Sequence, residues 1–301
     1  MIRRGSTSKF HPELRRHARV LPRTLVTPLT VRAFRVIPVG RRRQPREGVE
    51  VVTLSSGIAL RVHRPPQGGS GSGLLWIHGG GYVLGDAAMD DRWCQQQARE
   101  VGTTVVAVDY RLAPAYPFPA PLHDCYSALR WLATQSTIDP ARIAVAGASA
   151  GGGLAAALAL LARDRGEIDL AAQVLTYPML DDRTAERRDP DAAHRRLWNN
   201  ASNRLGWSAY LNGADPNIAV PARRADLRGL PATWLGVGTL DVLYDESRDY
   251  ARRLQAAEVI CELKTVPGAF HGFDAVAPNT AVTADFLRSQ REFLHRALAR
   301  R

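Results

Sequence analysis

The sequence predicts an α/β domain with a mostly parallel central sheet of about eight strands, flanked by helices on both faces. Strand-like apolar runs alternate with helical patterns from Leu74 to the C-terminus, which is the order that a parallel sheet requires. Runs such as residues 105–108 are apolar at every position, as expected for strands covered on both faces. A chain of 301 residues that is 45% apolar accommodates one such domain with insertions.

Two short amphipathic helices are predicted ahead of any strand. Thr27 and Pro28 form a helix-start signal, in which a capping side chain precedes proline at the first helical position. Leu29 then falls on one face of this helix and Arg32 on another. Residues 12–21 show a weaker version of the pattern. We expect both helices to pack on the outside of the main domain.

Strands and helices follow in order along the rest of the chain. The first two strands are joined by Ser55-Ser56-Gly57, which favours an antiparallel hairpin at one edge of the sheet. The predicted strands are Val49–Leu54, Ala59–His63, Leu74–His78, Thr103–Asp109, Arg142–Gly147, Ala171–Tyr177, Thr233–Gly238 and Val259–Val266. The predicted helices among them are Met89–Val101, Leu122–Thr137, Gly152–Arg165, Tyr244–Ala257 and Ala281–Ala299.

One stretch breaks this alternation. Residues 181–216 are charged and carry Trp198 and Trp207, at a place where a strand-to-helix connection needs only a few residues. Connections of that length in compact domains are usually lids or binding loops. The sequence therefore predicts a main domain over 46–180 and 217–301 with an insertion at 181–216.

Charge is concentrated at the N-terminus. The formal net charge is +11, and residues 1–50 carry thirteen Lys/Arg against three Glu. Such a segment is compatible with a weak contact to an anionic membrane surface, although a solvated basic lobe is the favoured explanation. Arg41, Arg42 and Arg43 have no aromatic platform or zinc-ligand spacing around them, so we expect no nucleic-acid partner.

The cysteines and the first residues of the chain indicate the cellular compartment in which the protein is expected. Cys94, Cys125 and Cys261 are scattered and show no metal-ligand spacing, so reduced thiols and no metal site are expected. Residues 5–19 are polar where a secretory signal would be apolar, which predicts a cytoplasmic protein without a membrane span. The sequence leaves open whether the protein is a homo-oligomer.

The pentapeptide Gly147-Ala148-Ser149-Ala150-Gly151 closes an apolar strand and precedes a helical pattern. This strand, sharp turn and helix is the context in which a serine hydroxyl becomes an exposed nucleophile. The pentapeptide alone is a moderate signal, because it occurs by chance in roughly one chain of this length in ten.

A second glycine-rich segment follows an earlier buried strand. His78 is followed by three consecutive glycines and Tyr82. Three glycines favour neither strand nor helix, and they permit the backbone to approach another group closely. In an acyl-transfer enzyme that group is the oxyanion of the tetrahedral intermediate, which backbone N–H groups bind.

A serine nucleophile needs a base and a carboxylate. His271 comes directly after the strand ending at Val266, whereas the other histidines lie in charged, edge or helical settings. Asp241 follows the preceding strand at its C-terminal end and is the favoured carboxylate. Asp245 is the alternative, although it falls in the first turn of a helix, where a carboxylate also suits the helix dipole.

The order Ser149, Asp241, His271 is that of α/β-hydrolases. The chain resembles the hormone-sensitive lipase-like (bacterial family IV) esterases and lipases of that superfamily, from about Leu74 onward. The matching segments are His78-Gly-Gly-Gly-Tyr82 with Gly85-Asp86, Asp109-Tyr-Arg-Leu-Ala-Pro114 with Pro117-Phe-Pro119, Gly147-Ala-Ser-Ala-Gly-Gly152, Tyr177-Pro-Met-Leu-Asp-Asp-Arg183 and Phe270-His-Gly-Phe273.

The resemblance implies roles for further residues. Gly80, Gly81 and Ala150 would donate the oxyanion hydrogen bonds, and Gly79 would shape the turn after His78. A helical cap would be built from residues 1–45 and the insertion at 181–216. The resemblance also places Tyr82, Trp198 and Trp207 along or beside the substrate pocket, although each tryptophan could equally anchor the cap to the body.

The expected activity is hydrolysis of short- to medium-chain carboxylic esters through a Ser-His-Asp triad and an acyl-enzyme, without a cofactor. Amide or formamide hydrolysis uses the same groups and remains an alternative. A ligand-binding receptor of the same fold is a weaker alternative, because plant receptors that resemble this family lack the histidine that this chain has at 271.

Overall fold

The computed structural model describes residues 7–36, 46–66 and 68–299. Parts of the predicted N-terminal segment 1–45, including Arg41, Arg42 and Arg43, therefore lie outside the described residues. Within the described residues, none of the helices combines the length and the apolarity needed to cross a membrane.

The described chain forms one eight-stranded sheet. Its strands are β1 (Val49–Thr53), β2 (Ala59–His63), β3 (Gly73–Ile77), β4 (Thr104–Asp109), β5 (Ile143–Ala148), β6 (Ala172–Thr176), β7 (Ala232–Gly238) and β8 (Cys261–Val266). Their spatial order is β1-β2-β4-β3-β5-β6-β7-β8. The strands from β4 to β8 in that order pair in parallel, whereas β2 runs antiparallel to both β1 and β4. The prediction of a mostly parallel sheet with an antiparallel hairpin at one edge is confirmed.

Helices cover both faces of this sheet. They are α1 (Arg15–Val20), α2 (Pro28–Val36), α3 (Asp91–Val101), α4 (Ala120–Ala133), α5 (Ala150–Arg165), α6 (Asn200–Leu211), α7 (Pro216–Ala219), α8 (Tyr244–Ala256), α9 (Phe273–Val276) and α10 (Ala281–Ala297). Side chains of β3 divide between the two cores, because alternate residues of a strand point to opposite faces. Leu75 and Ile77 join the core with α4, α5 and α8, while Leu74 and Trp76 join the core with α3 and α10.

Helix α5 begins earlier than the sequence predicts. The prediction places its start at Gly152, but the helix already begins at Ala150. Glycine is required there by packing. A Cβ atom at Gly151 would lie 2.0 Å from the carbonyl oxygen of Ile77 in β3. The first turn of α5 is thus pressed against the end of the neighbouring strand.

The two segments that the sequence analysis sets apart contact each other. The 181–216 insertion contains α6, the start of α7 and two short 3₁₀ turns. Leu197 in this insertion donates its N–H to the carbonyl of Pro22 and accepts the N–H of Leu25, at 2.9 Å each. The Ser202 hydroxyl donates to the carbonyl of Val26 at 2.9 Å. The N-terminal segment and the insertion therefore form one layer.

Glu246 joins α8 to the chain after β6. Its Oε1 accepts the N–H groups of Leu180 at 2.7 Å and Asp181 at 3.3 Å. The side chain is buried, and burial raises its pKa to about 8. The sequence analysis weighs its neighbour Asp245 as a candidate carboxylate but overlooks Glu246, because a single helical turn does not show which residue faces inward.

We expect Glu246 to make stability fall as pH rises from about 4.5 to about 8. In that window the folded state retains a proton that the unfolded chain, with an ordinary pKa of 4.5, has released. Glu246→Gln is neutral and keeps the accepting oxygen, so its stability relative to the wild type should increase with pH, by on the order of 3 kcal/mol across the window. Urea unfolding at about pH 5 and about pH 8 measures the difference.

Asp245→Asn is the matched control, because Asp245 lies one residue earlier on α8 with its side chain 67% exposed. It should show no comparable pH-dependent gain. The same pH dependence in the wild type and in Glu246→Gln would contradict a buried, protonated Glu246.

Candidate active site

Ser149 occupies a strained turn between β5 and α5. Its backbone has φ 56° and ψ −119°, a positive-φ conformation that non-glycine residues rarely adopt. The turn is tight enough that a Cβ atom at Gly147 would lie 2.2 Å from the carbonyl oxygen of Gly151. Hydrogen bonds hold the turn in place, because Ser149 donates its N–H to Thr176 and accepts the N–H of Met179, at 2.9 Å each.

His271 lies beside this serine. It follows β8 in the loop that leads to α9, and its Nε2 is 2.9 Å from the Ser149 Oγ. Its Nδ1 is 2.7 Å from Asp241 Oδ2. This pattern assigns the proton of the neutral ring to Nδ1, which donates to Asp241, and leaves Nε2 to accept the Ser149 hydroxyl proton.

Asp241 lies in the loop after β7 and is buried. Its Oδ1 accepts the N–H of Leu243 at 3.0 Å, so both carboxylate oxygens are hydrogen-bonded. Asp245, the sequence alternative, lies on α8 with its side chain 67% exposed and 3.4 Å from Arg248. The structure brings Ser149, His271 and Asp241 together and leaves Asp245 at the surface.

The loops that carry Asp241 and His271 are tied to each other. Leu240 donates its N–H to the carbonyl of Ala269 at 2.9 Å, and Gly268 donates its N–H to the Thr239 hydroxyl at 2.8 Å. A Cβ atom at Gly238 would lie 2.3 Å from the Ala269 oxygen. The carboxyl ends of β7 and β8 therefore hold Asp241 and His271 in a fixed relation.

The glycine loop after β3 passes directly beside the serine turn. A Cβ atom at Gly79 would lie 3.1 Å from the Ala148 carbonyl oxygen and 3.4 Å from the Ser149 Cβ. The left-handed residues are Gly80 at φ 118° and Gly81 at φ 63°. Gly79 is thus needed for close approach to the serine, while the next two glycines make the turn that the resemblance attributes to Gly79.

Ala150 is the first residue of α5, directly after the serine. The N-terminus of a helix of this length presents N–H groups and a partial positive charge. Gly80 and Gly81 follow Gly79 on the adjoining loop, and Gly79 lies against the serine turn. The arrangement is suited to negative charge that develops on an oxygen bonded to the attacked carbon.

His78 directly precedes the glycine loop and contacts its backbone. It is buried, and its ring stacks on Tyr110 with centroids 4.2 Å apart. Burial lowers its pKa to about 4, so the ring is neutral at pH 7 and Nδ1 donates to the Gly79 carbonyl at 2.7 Å. The Tyr110 hydroxyl donates to the His78 carbonyl at 3.0 Å. His78 therefore orients the loop that carries Gly80 and Gly81.

Trp198 covers the glycine loop from the insertion. A Cβ atom at Gly81 would lie 2.3 Å from its ring, and the ring centroid is 6.0 Å from that of His271. Its Nε1 donates to Asn203 on α6 at 3.3 Å. Ser149 and His271 are only 6% and 8% exposed under this cover.

Tyr82 and Trp207 belong to an aromatic cluster with Tyr210. The Tyr82 ring stacks on Tyr210 at 4.1 Å and lies 5.3 Å from Trp207. All three side chains are buried, and burial raises the pKa of Tyr82 well above its ordinary value. Tyr82 directly follows Gly81, so this cluster joins the insertion to the glycine loop.

The site does not coincide with the large cavity of this structure. A cavity of about 1090 Å³ lies at the amino ends of β5, β6 and β7, where Arg142, Leu170 and Pro231 are among the lining residues. The residues described above lie at the opposite, carboxyl ends of the strands. Among the described residues, no group of three or more His, Cys, Asp or Glu side chains is arranged to hold a metal ion.

The sequence analysis assigns no individual role to Tyr177 or Asp274, which form a hydrogen-bonded pair next to His271. Asp274 lies three residues after His271 and accepts the Tyr177 hydroxyl at 2.8 Å, and the Tyr177 ring packs against His271. The available signal was a carboxylate directly after the Phe270-His-Gly-Phe273 segment. The hydrogen-bond partner of Asp274 could not be predicted from the sequence, because Tyr177 is 97 residues away in the chain.

The family model and the relatives that match this chain point to the same protein family. A family model described as the alpha/beta hydrolase fold matches residues 74–275. Carboxylesterase NlhH of Mycobacterium tuberculosis is 38% identical over 232 residues, which cover 72% of this chain and 71% of that protein. Ethyl acetate hydrolase of Pseudomonas putida is 36% identical over 232 residues, with the same coverage of 72% and 71%.

Solved structures agree with these relatives. Esterase LipW of Mycobacterium marinum superposes with a TM-score of 0.86 at 35% identity, covering 98% of each chain. An esterase from the bacterial hormone-sensitive lipase family superposes with a TM-score of 0.80 at 29% identity, covering 96% of this chain and 99% of that one. The chain belongs to the hormone-sensitive lipase-like esterases of the α/β-hydrolase superfamily and is a serine carboxylic ester hydrolase.

Proposed function

We propose that Ser149 is the nucleophile, His271 the general base and acid, and Asp241 the carboxylate that orients and stabilises the histidine. The observation that supports this most directly is the pair of distances at His271, 2.9 Å to Ser149 Oγ and 2.7 Å to Asp241 Oδ2. Ser149 attacks the ester carbonyl carbon while His271 Nε2 takes its proton. The resulting imidazolium is stabilised by the buried Asp241 carboxylate.

The tetrahedral intermediate carries a negative oxygen. We assign its binding to the N–H groups of Gly80 and Gly81, on the loop whose Gly79 lies against the serine turn, and of Ala150, which directly follows the serine. Collapse of the intermediate expels the alcohol, to which His271 returns the proton. Water then attacks the acyl-enzyme with His271 again as base, which releases the acid and regenerates Ser149. Each oxyanion donor is expected to contribute on the order of 10²–10³ in kcat.

Substrate size is set by the layer formed from the N-terminal segment and the 181–216 insertion, which we assign as the cap. Trp198 lies over Gly81, and Ser149 is 6% exposed beneath it. Bulky aromatic side chains this close to the nucleophile favour short to medium acyl chains of roughly two to eight carbons. Trp207 and Tyr82 then border the pocket on the side of α6.

The amide alternative uses the same groups but requires His271 to protonate an amine leaving group. The relatives' names favour esters, since they include a carboxylesterase and an ethyl acetate hydrolase. We therefore assign short-chain esters as the substrate class.

Ser149→Ala should lower kcat on p-nitrophenyl acetate and butyrate by on the order of 10⁴-fold or more, because no other group replaces the nucleophile. In the wild type, activity along the p-nitrophenyl series from acetate to palmitate should peak between two and eight carbons. Initial rates monitored by nitrophenolate release measure both.

Ser127→Ala is the matched control, since it removes a serine hydroxyl that bonds the His123 carbonyl on α4. It should retain wild-type activity. Activity that rises steadily toward palmitate would contradict a pocket limited by Trp198. Faster turnover of p-nitroacetanilide than of p-nitrophenyl acetate would favour the amide alternative.

We also propose that the N-terminal segment contacts anionic membrane surfaces. Val20, Leu25 and Leu29 are 82%, 45% and 79% exposed, which is unusual for large aliphatic side chains so close in sequence. Exposed arginines at 16, 19, 23 and 32 lie among them. A segment that binds at a membrane interface needs two kinds of side chain. Aliphatic side chains enter the boundary of the acyl chains, and arginines bind the anionic headgroups.

Val20→Ser combined with Leu29→Ser should weaken binding to phosphatidylglycerol vesicles about tenfold, because two aliphatic side chains no longer enter the interface. Vesicle co-sedimentation at low and high salt measures this, and salt should weaken wild-type binding. Ile218→Ser with Ile260→Ser is the control, since these exposed isoleucines lie outside the segment. Equal binding of wild type and Val20→Ser/Leu29→Ser, or a preference for DNA over vesicles, would contradict the proposal.

A further inference from the structure

Tyr177 and Asp274 form a second hydrogen-bonded pair beside His271. The Tyr177 ring meets the His271 ring edge to face, with centroids 4.8 Å apart and planes at 62°. The Tyr177 hydroxyl donates to Asp274 Oδ1 at 2.8 Å. Asp274 lies in α9, which begins two residues after His271. The pair thus connects the chain after β6 to the chain that carries the histidine.

The backbone of Tyr177 is held in an uncommon conformation. Its φ is 35°, in the left-handed region that few non-glycine residues adopt. Its N–H donates to the Gly236 carbonyl at 2.6 Å, and two residues later Met179 donates to the Ser149 carbonyl at 2.9 Å. Strain of this kind persists only where surrounding contacts enforce it, and it concentrates at functional sites. The serine turn and the Tyr177 ring are therefore positioned by one segment.

His271 is surrounded on its other sides by groups already described. Asp241 and Ser149 bind its two nitrogens, and Trp198 lies 6.0 Å away at 33° to the ring. Burial raises the pKa of Asp274, while its hydrogen bond from Tyr177 and the nearby His271 oppose that shift. The carboxyl group of Asp274 thus faces both the tyrosine and the histidine.

We propose that Tyr177 and Asp274 are positioning residues for His271. During the reaction Nε2 must pass its proton from Ser149 to the leaving alcohol while Nδ1 stays on Asp241. The Tyr177 ring limits rotation of the imidazole between these two partners, and the hydrogen bond to Asp274 fixes the tyrosine ring in turn. Small displacements of a catalytic group lower the rate steeply, so such a support acts on kcat. This inference rests on the proposed role of His271 as the base.

The test compares four variants on p-nitrophenyl butyrate. Tyr177→Phe keeps the ring but loses the hydroxyl, and Asp274→Ala loses the acceptor. Each should lower kcat about tenfold with KM changed less than about twofold, and the double variant should be no slower than either single one. Asp274→Asn keeps an accepting oxygen and should retain most of the wild-type kcat.

The matched control is Tyr126→Phe. The Tyr126 hydroxyl donates to Glu167 at the same distance of 2.8 Å, on α4 and away from the histidine. Its loss should affect the unfolding midpoint much as Tyr177→Phe does but leave kcat unchanged. This variant separates a local role at His271 from the general cost of losing a tyrosine–carboxylate hydrogen bond.

Three outcomes would overturn the inference. An unchanged kcat in Tyr177→Phe would show that the hydroxyl positions nothing. If the double variant loses kcat by the product of the two single losses, the two residues do not act as a pair. A loss in Asp274→Asn equal to that in Asp274→Ala would assign the effect to charge. His271→Ala is measured in parallel. If His271→Ala stays active, the proposed role of His271 as the base is wrong. If His271→Ala is inactive, each of the three outcomes above bears only on Tyr177 and Asp274.

Discussion

The turn at Ser149 is the constraint on which the rest of the structure depends. A non-glycine residue with φ 56° is held there because β5 must end and α5 must begin within one residue. This is feasible only if neighbouring backbones come closer than side chains allow. Gly147, Gly151 and Gly79 provide that approach, since a Cβ atom at each would meet backbone atoms at 2.0–3.1 Å. The glycines therefore serve packing as much as conformation.

The parallel arrangement of the strands brings the residues that contact the Ser149 turn to one edge of the sheet. Strands β3, β5, β6, β7 and β8 are neighbours in the sheet and point the same way, so their carboxyl ends converge on one edge. The glycine loop, the serine, Tyr177, Asp241 and His271 each follow one of these strands. Residues far apart in the chain are thereby placed within hydrogen-bond distance on rigid supports, which is how a nucleophile, a base and an acid are kept aligned.

Burial and hydrogen bonding then give similar groups different tasks. The burial of His78 outweighs the opposing effects of the Gly79 carbonyl and Asp86, so its pKa falls to about 4 and it remains a neutral support for the glycine loop. His271 has a carboxylate on one nitrogen and a serine hydroxyl on the other, which suits it to proton transfer. Asp241, Asp245 and Glu246 lie close together in the chain, yet one faces His271, one faces solvent and one holds the chain after β6.

The sequence by itself determined the fold class, because alternating apolar runs and helical patterns are local properties that tertiary contacts did not overrule. It also predicted Ser149, His271 and the glycine loop as the reactive centre, since each follows an apolar strand, and the structure brings these residues together. Only the tertiary structure placed Asp241 against His271 with Asp245 at the surface, placed Trp198 over Gly81, and brought Tyr177 to Asp274. These outcomes depend on which side of a helix or loop faces inward, and contacts between distant segments set that direction.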